Sequence, residues 1–249
     1  MKIFSSQKKK LGVISGMGTR AGLCFINKLI ENIDAPTDQD FPEFILHNNS
    51  SIPDRTLAIV YGKESPVFEL TRSLKMMQDI DVDFVLSTCI TSYHYLRQID
   101  PSLTNKLLDP IKMLSEQLRL NFPGVKRVGV LATTGTMESG LFHKEFEQLP
   151  YELVTLNHFD QENKFMKSVY MEGGFKSAQI DDEAYELFNG AVDALKIQGV
   201  DLIIGGCTEV QIGMSKVLQD FEYLDTMDVL IKHLKGKMNL EKEVRDLAV

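Results

Sequence analysis

The chain has 249 residues, 43% of them hydrophobic, enough to bury the core of one large or two modest domains. Its formal charge of −8 and pI near 5.2 argue against a nucleic-acid partner, because affinity for DNA or RNA depends on clustered Lys and Arg. No stretch is long and apolar enough to cross a membrane and no apolar leader follows Lys8-Lys9-Lys10, so a cytoplasmic protein is expected, with the basic run as a solvated tail.

In chain order, short β-branched runs alternate with longer amphipathic stretches, the pattern of βαβ units around a parallel sheet. A strand is predicted over Leu11–Ser15, followed by the turn Gly16-Met17-Gly18 and a helix in which Ala21, Phe25, Ile26, Leu29 and Ile30 recur near helical period. Phe44-Ile45-Leu46 reads as the second strand, His47–Thr56 as a polar loop, and Ser65-Pro66 as the N-cap and first position of a helix. The run Val82–Leu86 forms a third strand leading to Cys89. The grammar then repeats. A helix over Ile111–Phe122, the break Pro123-Gly124 and a strand over Arg127–Ala132 lead to Thr133-Thr134-Gly135-Thr136 in place of the glycine turn. Tyr151–Leu156, a helix over Asp181–Gln198, the strand Leu202–Gly205 before Cys207, and a helix over Met227–Leu234 complete the series.

Gly12 precedes Cys89 by 77 residues and Gly129 precedes Cys207 by 78, which is a duplication of layout. The expected fold class is therefore α/β, with two pseudo-symmetric α/β domains, mostly parallel sheets and the active site in the cleft between them. The first domain is expected over 1–110, completed by 208–249, and the second over 111–207. Ligands of open parallel sheets gather at the carboxyl ends of strands, so both thiols are placed to face that cleft. One sulfur on each side of a carbon is what inverting a stereocentre requires.

Cys24, Cys89 and Cys207 are an odd number in a chain large enough to fold unaided, so free thiols are expected rather than a disulfide framework. Neither a Cys-x-x-Cys pair nor a His-x-x-x-His spacing supports a metal site. Cys24 falls within the first helix and reads as a small buried apolar group. Thr91 and His94 after Cys89, and Thr208 and Glu209 after Cys207, are the polar neighbours able to tune each thiol; His94 reads equally as a surface histidine. The glycine turn after the first strand is open to three readings: an anion cradle for phosphate, one for carboxylate, or a tight turn needing positive φ. Arg55 offers a fork that pairs with a carboxylate, with Asp54 to orient it or to polarise a thiol, or the two form an ordinary surface ion pair. Lys176, after Gly173-Gly174-Phe175, is a second candidate partner for a carboxylate.

Four segments in order, Leu11-Gly12-Val13-Ile14-Ser15-Gly16-Met17-Gly18, Ile52-Pro53-Asp54-Arg55-Thr56, Ala132-Thr133-Thr134-Gly135-Thr136 and Gly206-Cys207-Thr208-Glu209, resemble the motifs of the aspartate/glutamate racemase family, whose enzymes work without pyridoxal phosphate. The likeness runs from Leu11 to Asp225-Thr226. It implies that Cys89 and Cys207 are the catalytic pair and that no cofactor is used. It also implies that Arg55 engages the side-chain carboxylate, that Lys176 is the second cationic group, and that Met17, Thr133, Thr136 and Thr208 contact substrate carboxylates, with Thr91 beside them. Family members are commonly homodimers. The sequence departs from the family pattern at Ile90, where Asn is usual, at His94, which falls one residue late, and at Thr19, where Pro is common. The function expected is racemisation of aspartate or glutamate, with a broad-specificity racemase, a related isomerase or decarboxylase, and a non-catalytic carboxylate-binding protein as rivals.

Overall fold

The computed structural model describes residues 8–240 apart from 219 and 239. Its first half runs β1 (Lys10–Ser15), α1 (Thr19–Glu31), β2 (Glu43–Asn48), α2 (Arg55–Tyr61), α3 (Val67–Asp79) and β3 (Phe84–Ser87). These strands form a parallel sheet in the order β2-β1-β3. As the central strand, β1 is buried from Leu11 to Ser15, and its sequence is accordingly near-continuously apolar. After β3 come a 3-10 turn (Ile90–Ser92), α4 (Tyr93–Leu96) and α5 (Pro101–Thr104).

The second half contains α6 (Pro110–Asn121), β4 (Arg127–Leu131), α7 (Thr134–Glu138), α8 (Leu141–Phe146) and β5 (Glu152–Val154). There α9 (His158–Asp160) continues through a π-helical turn (Gln161–Met166) into α10 (Lys167–Tyr170). Then follow α11 (Asp182–Ile197), β6 (Leu202–Gly205), α12 (Thr208–Met214), β7 (Glu222–Asp225) and α13 (Thr226–Lys237). The second parallel sheet has the order β5-β4-β6-β7.

The repeated layout is present at the level of strand register. Gly12 pairs with Val85 and Gly129 with Ile203, and each cysteine lies four residues beyond that partner. Both glycines admit a helix against the sheet: a Cβ on Gly12 would stand 2.7 Å from Met77 Sδ, and one on Gly129 would stand 3.2 Å from Leu195 and Val200.

Three expectations are corrected. The chain after Cys207 was expected to complete the first domain, but β7 extends the second sheet, with Gly205 opposite Asp225. The crossover through α12 returns the chain to the free edge of β6, where four short residues suffice to pair. Lys10 is not part of a solvated tail, because it opens β1, donates its backbone N–H to Asp83 Oδ2 at 2.8 Å and places its ammonium 3.5 Å from Glu43. Pro66 rather than Ser65 caps α3, Ser65 Oγ accepting only a long bond from Val67 N–H at 3.4 Å.

Two apolar clusters hold the molecule. One includes Phe25, Leu74 and Leu86 of the first half and continues through Leu114, Val130, Phe142 and Leu230. The other, with Phe165, Phe175, Phe188 and Ile203, fills the opposite side of the second sheet. Each fully buried Leu, Ile or Phe contributes about 1.5–3 kcal/mol from removal of its surface from water.

Gly16 adopts φ of +95°, and a Cβ there would fall 2.2 Å from the carbonyl carbon of Asn49. Gly16→Ala is therefore expected to lower stability by about 2 kcal/mol or more in urea unfolding, combining positive-φ strain with a backbone collision. A change within 0.5 kcal/mol, about the effect of an ordinary surface substitution, would show that the turn can yield.

Candidate active site

Cys89 leaves β3 in extended conformation at the start of the 3-10 turn, and Cys207 leaves β6 likewise as the N-cap of α12. Cys207 is 7% exposed and its Sγ donates to Glu209 Oε2 at 2.7 Å. Burial, then the charge of Glu209 and the hydrogen bond to it, push this thiol well above its ordinary range, with Lys176 opposing. Cys207 therefore holds its proton. The other oxygen of Glu209, Oε1, lies 3.8 Å from Lys176 Nζ. A Cβ at position 18 would come within 2.4 Å of that oxygen, so the second glycine of the first turn is what lets Glu209 reach across from the second half.

Arg55, the first residue of α2, is 5% exposed. Its guanidinium donates through Nη1 to Pro53 O at 3.0 Å and through Nη2 to Met17 O at 2.7 Å, and its buried Nε has no partner. Burial works against its charge, but Cys89, Asp54 and Tyr170 outweigh that and raise its pKa. Lys176 Nζ donates to the same Met17 carbonyl at 3.0 Å. Burial opposes the ammonium as well, and Glu209 and Tyr170 raise it overall, with Cys89 contributing. One lysine thus stands within electrostatic reach of both thiols. In the glycine turn Gly16 lies at positive φ, and the carbonyl of Met17 accepts from both cations.

Asp54 neither pairs with Arg55 directly nor touches a thiol. Its Oδ1 accepts from Leu57 N–H at 2.8 Å, capping α2, and its Oδ2 accepts from Tyr170 O–H at 3.1 Å. Thr91 Oγ1 lies 3.0 Å from Thr133 Oγ1 and 2.8 Å from Thr136 Oγ1, which are themselves 3.0 Å apart. This closed triangle of buried hydroxyls joins the two halves. Thr208 donates from its hydroxyl to Thr88 O, tying the start of α12 to the end of β3. His94 packs edge-on against Tyr95, and Cys24 lies 3.7 Å from Gln211 Oε1, away from the other sulfurs. Among the described residues no cluster of three His, Cys, Asp or Glu is placed to hold a metal ion.

Sequence reasoning missed Tyr170. Its ring lies 4.6 Å from Lys176 Nζ, a cation over an aromatic face, while its hydroxyl holds Asp54. An aromatic residue six positions before the lysine was the available signal. Tyr170 and Asp54 also border a cavity of about 440 Å³, shared with Thr56, Leu57, Tyr61 and Met166 and not lined by either cysteine.

A family model described as Asp/Glu/Hydantoin racemase matches residues 14–234. The chain is 32% identical over 108 residues to an uncharacterized protein in the pnlA 3' region of Pectobacterium carotovorum subsp. carotovorum, covering 43% of this chain and 69% of that one. Among solved structures it resembles the Picrophilus torridus aspartate racemase, with a TM-score of 0.80, 24% identity and coverage of 93% and 94% of the two chains. A putative Asp/Glu racemase from Yersinia pestis follows at 0.71 and 19%, covering 93% and 99%. Glutamate racemase isoform RacE1 from Bacillus anthracis gives 0.65 and 13%, covering 94% and 82%.

Because Glu209 holds the Cys207 proton, Glu209→Gln is expected to speed alkylation of Cys207 by iodoacetamide at neutral pH by about tenfold. Peptide mass spectrometry reads the rate at each cysteine. In the unaltered protein Cys89, which is half-buried, is expected to label ahead of Cys207. Unchanged labelling of Cys207 in the variant would show that the carboxylate does not govern it.

Proposed function

The chain belongs to the Asp/Glu/hydantoin racemase family, and on that premise we propose that it is a cofactor-independent racemase that passes the α-proton of aspartate or glutamate between Cys89 and Cys207. The observation that carries this reading is a cysteine at the strand end of each half, four residues past matching register positions. In the proposed reaction the thiolate of one cysteine takes the α-proton, so a C–H bond breaks and an S–H bond forms. The opposite thiol gives its proton to the other face of the same carbon. The reverse direction exchanges the roles.

Two features support assigning Cys89 as the resting base and Cys207 as the resting acid. Arg55 supplies a cation beside Cys89, and Glu209 holds the proton on Cys207. Negative charge developing at the α-carbon and its carboxylate needs preorganised donors, since water cannot supply them in a closed cleft. Thr91, Thr133 and Thr136 carry hydroxyls that can turn from one another to a substrate oxygen, and Thr208 fixes the helix start beside them. Arg55, with an unpartnered Nε, and Lys176 supply two cations for the acidic side chain. Ile90 is 1% exposed and packs in the apolar core, so choice of side chain falls to these cations rather than to position 90. The protein is proposed to act in the cytoplasm as a homodimer, which predicts a solution mass twice 28.1 kDa by light scattering.

A second reading keeps the scaffold and widens the substrate to other amino acids, or changes the reaction to a related isomerisation or decarboxylation. The 440 Å³ cavity beside Asp54 and Tyr170 favours it by offering room next to the ring that Lys176 overlies. A carboxylate-binding protein without turnover has no need of two thiols and ranks below both.

Chiral chromatography of L- and D-amino acids incubated without cofactor tests the class, with activity expected on aspartate or glutamate. In deuterated water the product enantiomer should carry deuterium at the α-carbon. Cys89→Ser and Cys207→Ser are each expected to reduce racemisation of both enantiomers by about a thousandfold. Near-normal turnover in either variant would rule out the two-thiol scheme, and turnover confined to neutral amino acids would rule out the acidic substrate.

A further inference from the structure

One buried carboxylate takes no part in the proposed chemistry. Asp225 ends β7 opposite Gly205 of β6, and is only 2% exposed. Its Oδ1 accepts from Gln211 Nε2 at 2.5 Å and from Met227 N–H at 2.7 Å, and its Oδ2 accepts from Tyr223 O–H at 2.5 Å. A Cβ on Gly205 would stand 2.4 Å from the Tyr223 hydroxyl and 2.7 Å from Asp225 Oδ2, so this polar pair lies directly on the backbone two residues before Cys207. Thr226 adds a bond from its hydroxyl to Gly205 O at 2.6 Å.

Gln211 belongs to α12, the helix that Cys207 caps and that carries Thr208 and Glu209. Its amide nitrogen is held by Asp225, while its Oε1 faces Cys24 of α1. The segment from Gly205 to Gln211 is therefore held at one end by β7, through strand pairing and the Thr226 hydroxyl, and at the other by the Asp225 carboxylate, and Cys207 lies between the two. We propose that Asp225 is a positioning residue for Cys207, setting the sulfur and its Glu209 partner against the substrate through Gln211 and the end of β6. As a role in catalysis this rests on the racemase reading above.

The grip asks more than a helix cap would. Capping α13 needs one acceptor for Met227 N–H, which Asn or Ser provides without charge. A carboxylate here is costly: among the described residues no cation pairs with it, Lys28 of α1 being paired with Asp228 of α13. Burial and then Asp228 raise Asp225 to a pKa of about 6, against the smaller opposing effects of Tyr223, Gln211 and Lys28. With its folded pKa above the unfolded one, ionisation of Asp225 takes stability away as pH rises from its ordinary range through about 6. A group retained in its ionised form at that cost is held for something other than folding. The groups facing it are Tyr223 from β7, Asp228 from α13, Lys28 and Cys24 from α1, Gln211 from α12 and, through Tyr223, Cys207 at the end of β6. Burial and Asp225 push the Tyr223 hydroxyl far above its ordinary range, so it stays a donor.

Asp225→Asn preserves shape and the cap while removing the charge. It is expected to melt no lower than the unaltered protein and to leave KM nearly unchanged, since Arg55 and Lys176 are untouched. Its kcat should fall on the order of ten- to a hundredfold in both directions, the effect of slightly misplacing a reacting group. An acid limb in kcat near pH 6 should be present in the unaltered protein and absent from the variant. Gln211→Leu, which keeps the charge but cuts the grip on α12, should reproduce the loss of kcat. Iodoacetamide labelling gives a readout independent of turnover: both variants should change the rate at Cys207 several-fold and leave Cys89 alone. If kcat, its acid limb and Cys207 labelling are unaltered in both variants, or if every loss follows the unfolded fraction, Asp225 does not position Cys207. If no racemase activity is found but Cys207 labelling still responds, the racemase reading fails and the positioning role stands.

Discussion

Two cations meeting on one backbone oxygen organise this molecule. Arg55 from the first half and Lys176 from the second both donate to Met17 O, at 2.7 and 3.0 Å. Two positive charges sharing an acceptor, one buried and one half-buried, repel each other, and the repulsion is stronger away from water. The arrangement is offset by carboxylates that face it, Glu209 on one side and Asp54 on the other. The glycines around Met17 follow from this constraint. Gly16 bends the chain at positive φ so that the carbonyl is presented, and Gly18 leaves the space that Glu209 occupies. A bound dicarboxylic amino acid would enter a site whose cations are already assembled, so their ordering is complete before binding.

The duplicated layout places two sulfurs alike and then gives them unlike partners. Register puts each cysteine four residues past the strand position facing Gly12 or Gly129. Chemistry separates them. Cys207 is shut in with a carboxylate that keeps its proton, whereas Cys89 is half-buried beside a guanidinium. The proposed two-base scheme requires one protonated and one deprotonated sulfur at any moment, and the surroundings of Cys207 suit it to the protonated role. The hydroxyl triangle of Thr91, Thr133 and Thr136 then joins the halves.

Much of the architecture was legible in the sequence because buried parallel strands are nearly continuous apolar runs, as in Leu11–Ser15 and Leu202–Gly205. The segments that were not legible depend on contacts distant in sequence. The polar stretch 48–56 read as a loop, yet Asp54 caps a short helix beginning at Arg55, and that helix is stabilised by packing against α7, where Gly135 meets Thr56. β7 has the sequence Glu-Tyr-Leu-Asp, too short and polar to show a period, and becomes a strand because β6 has an open edge. The π-helical turn 161–166 has no distinctive composition, being held by Gln161 to Ala132 O and by Met166 near Thr134 N–H. The motif residues were legible as a group, but their partners were not: that Asp54 serves Tyr170 and Glu209 serves Cys207 is a property of the folded chain alone.

The larger apolar cluster does not stop where the first sheet ends. It passes from Phe25 and Leu86 through Leu114 and Leu230 to Val130 and Phe142, so side chains of both sheets share one oily interior. Cutting the chain between the repeats would leave each fragment with a broad greasy face turned to solvent. An ancestor of either half, living as a separate polypeptide, would have needed a second copy of itself to cover that face, and the fused chain carries its own cover permanently attached.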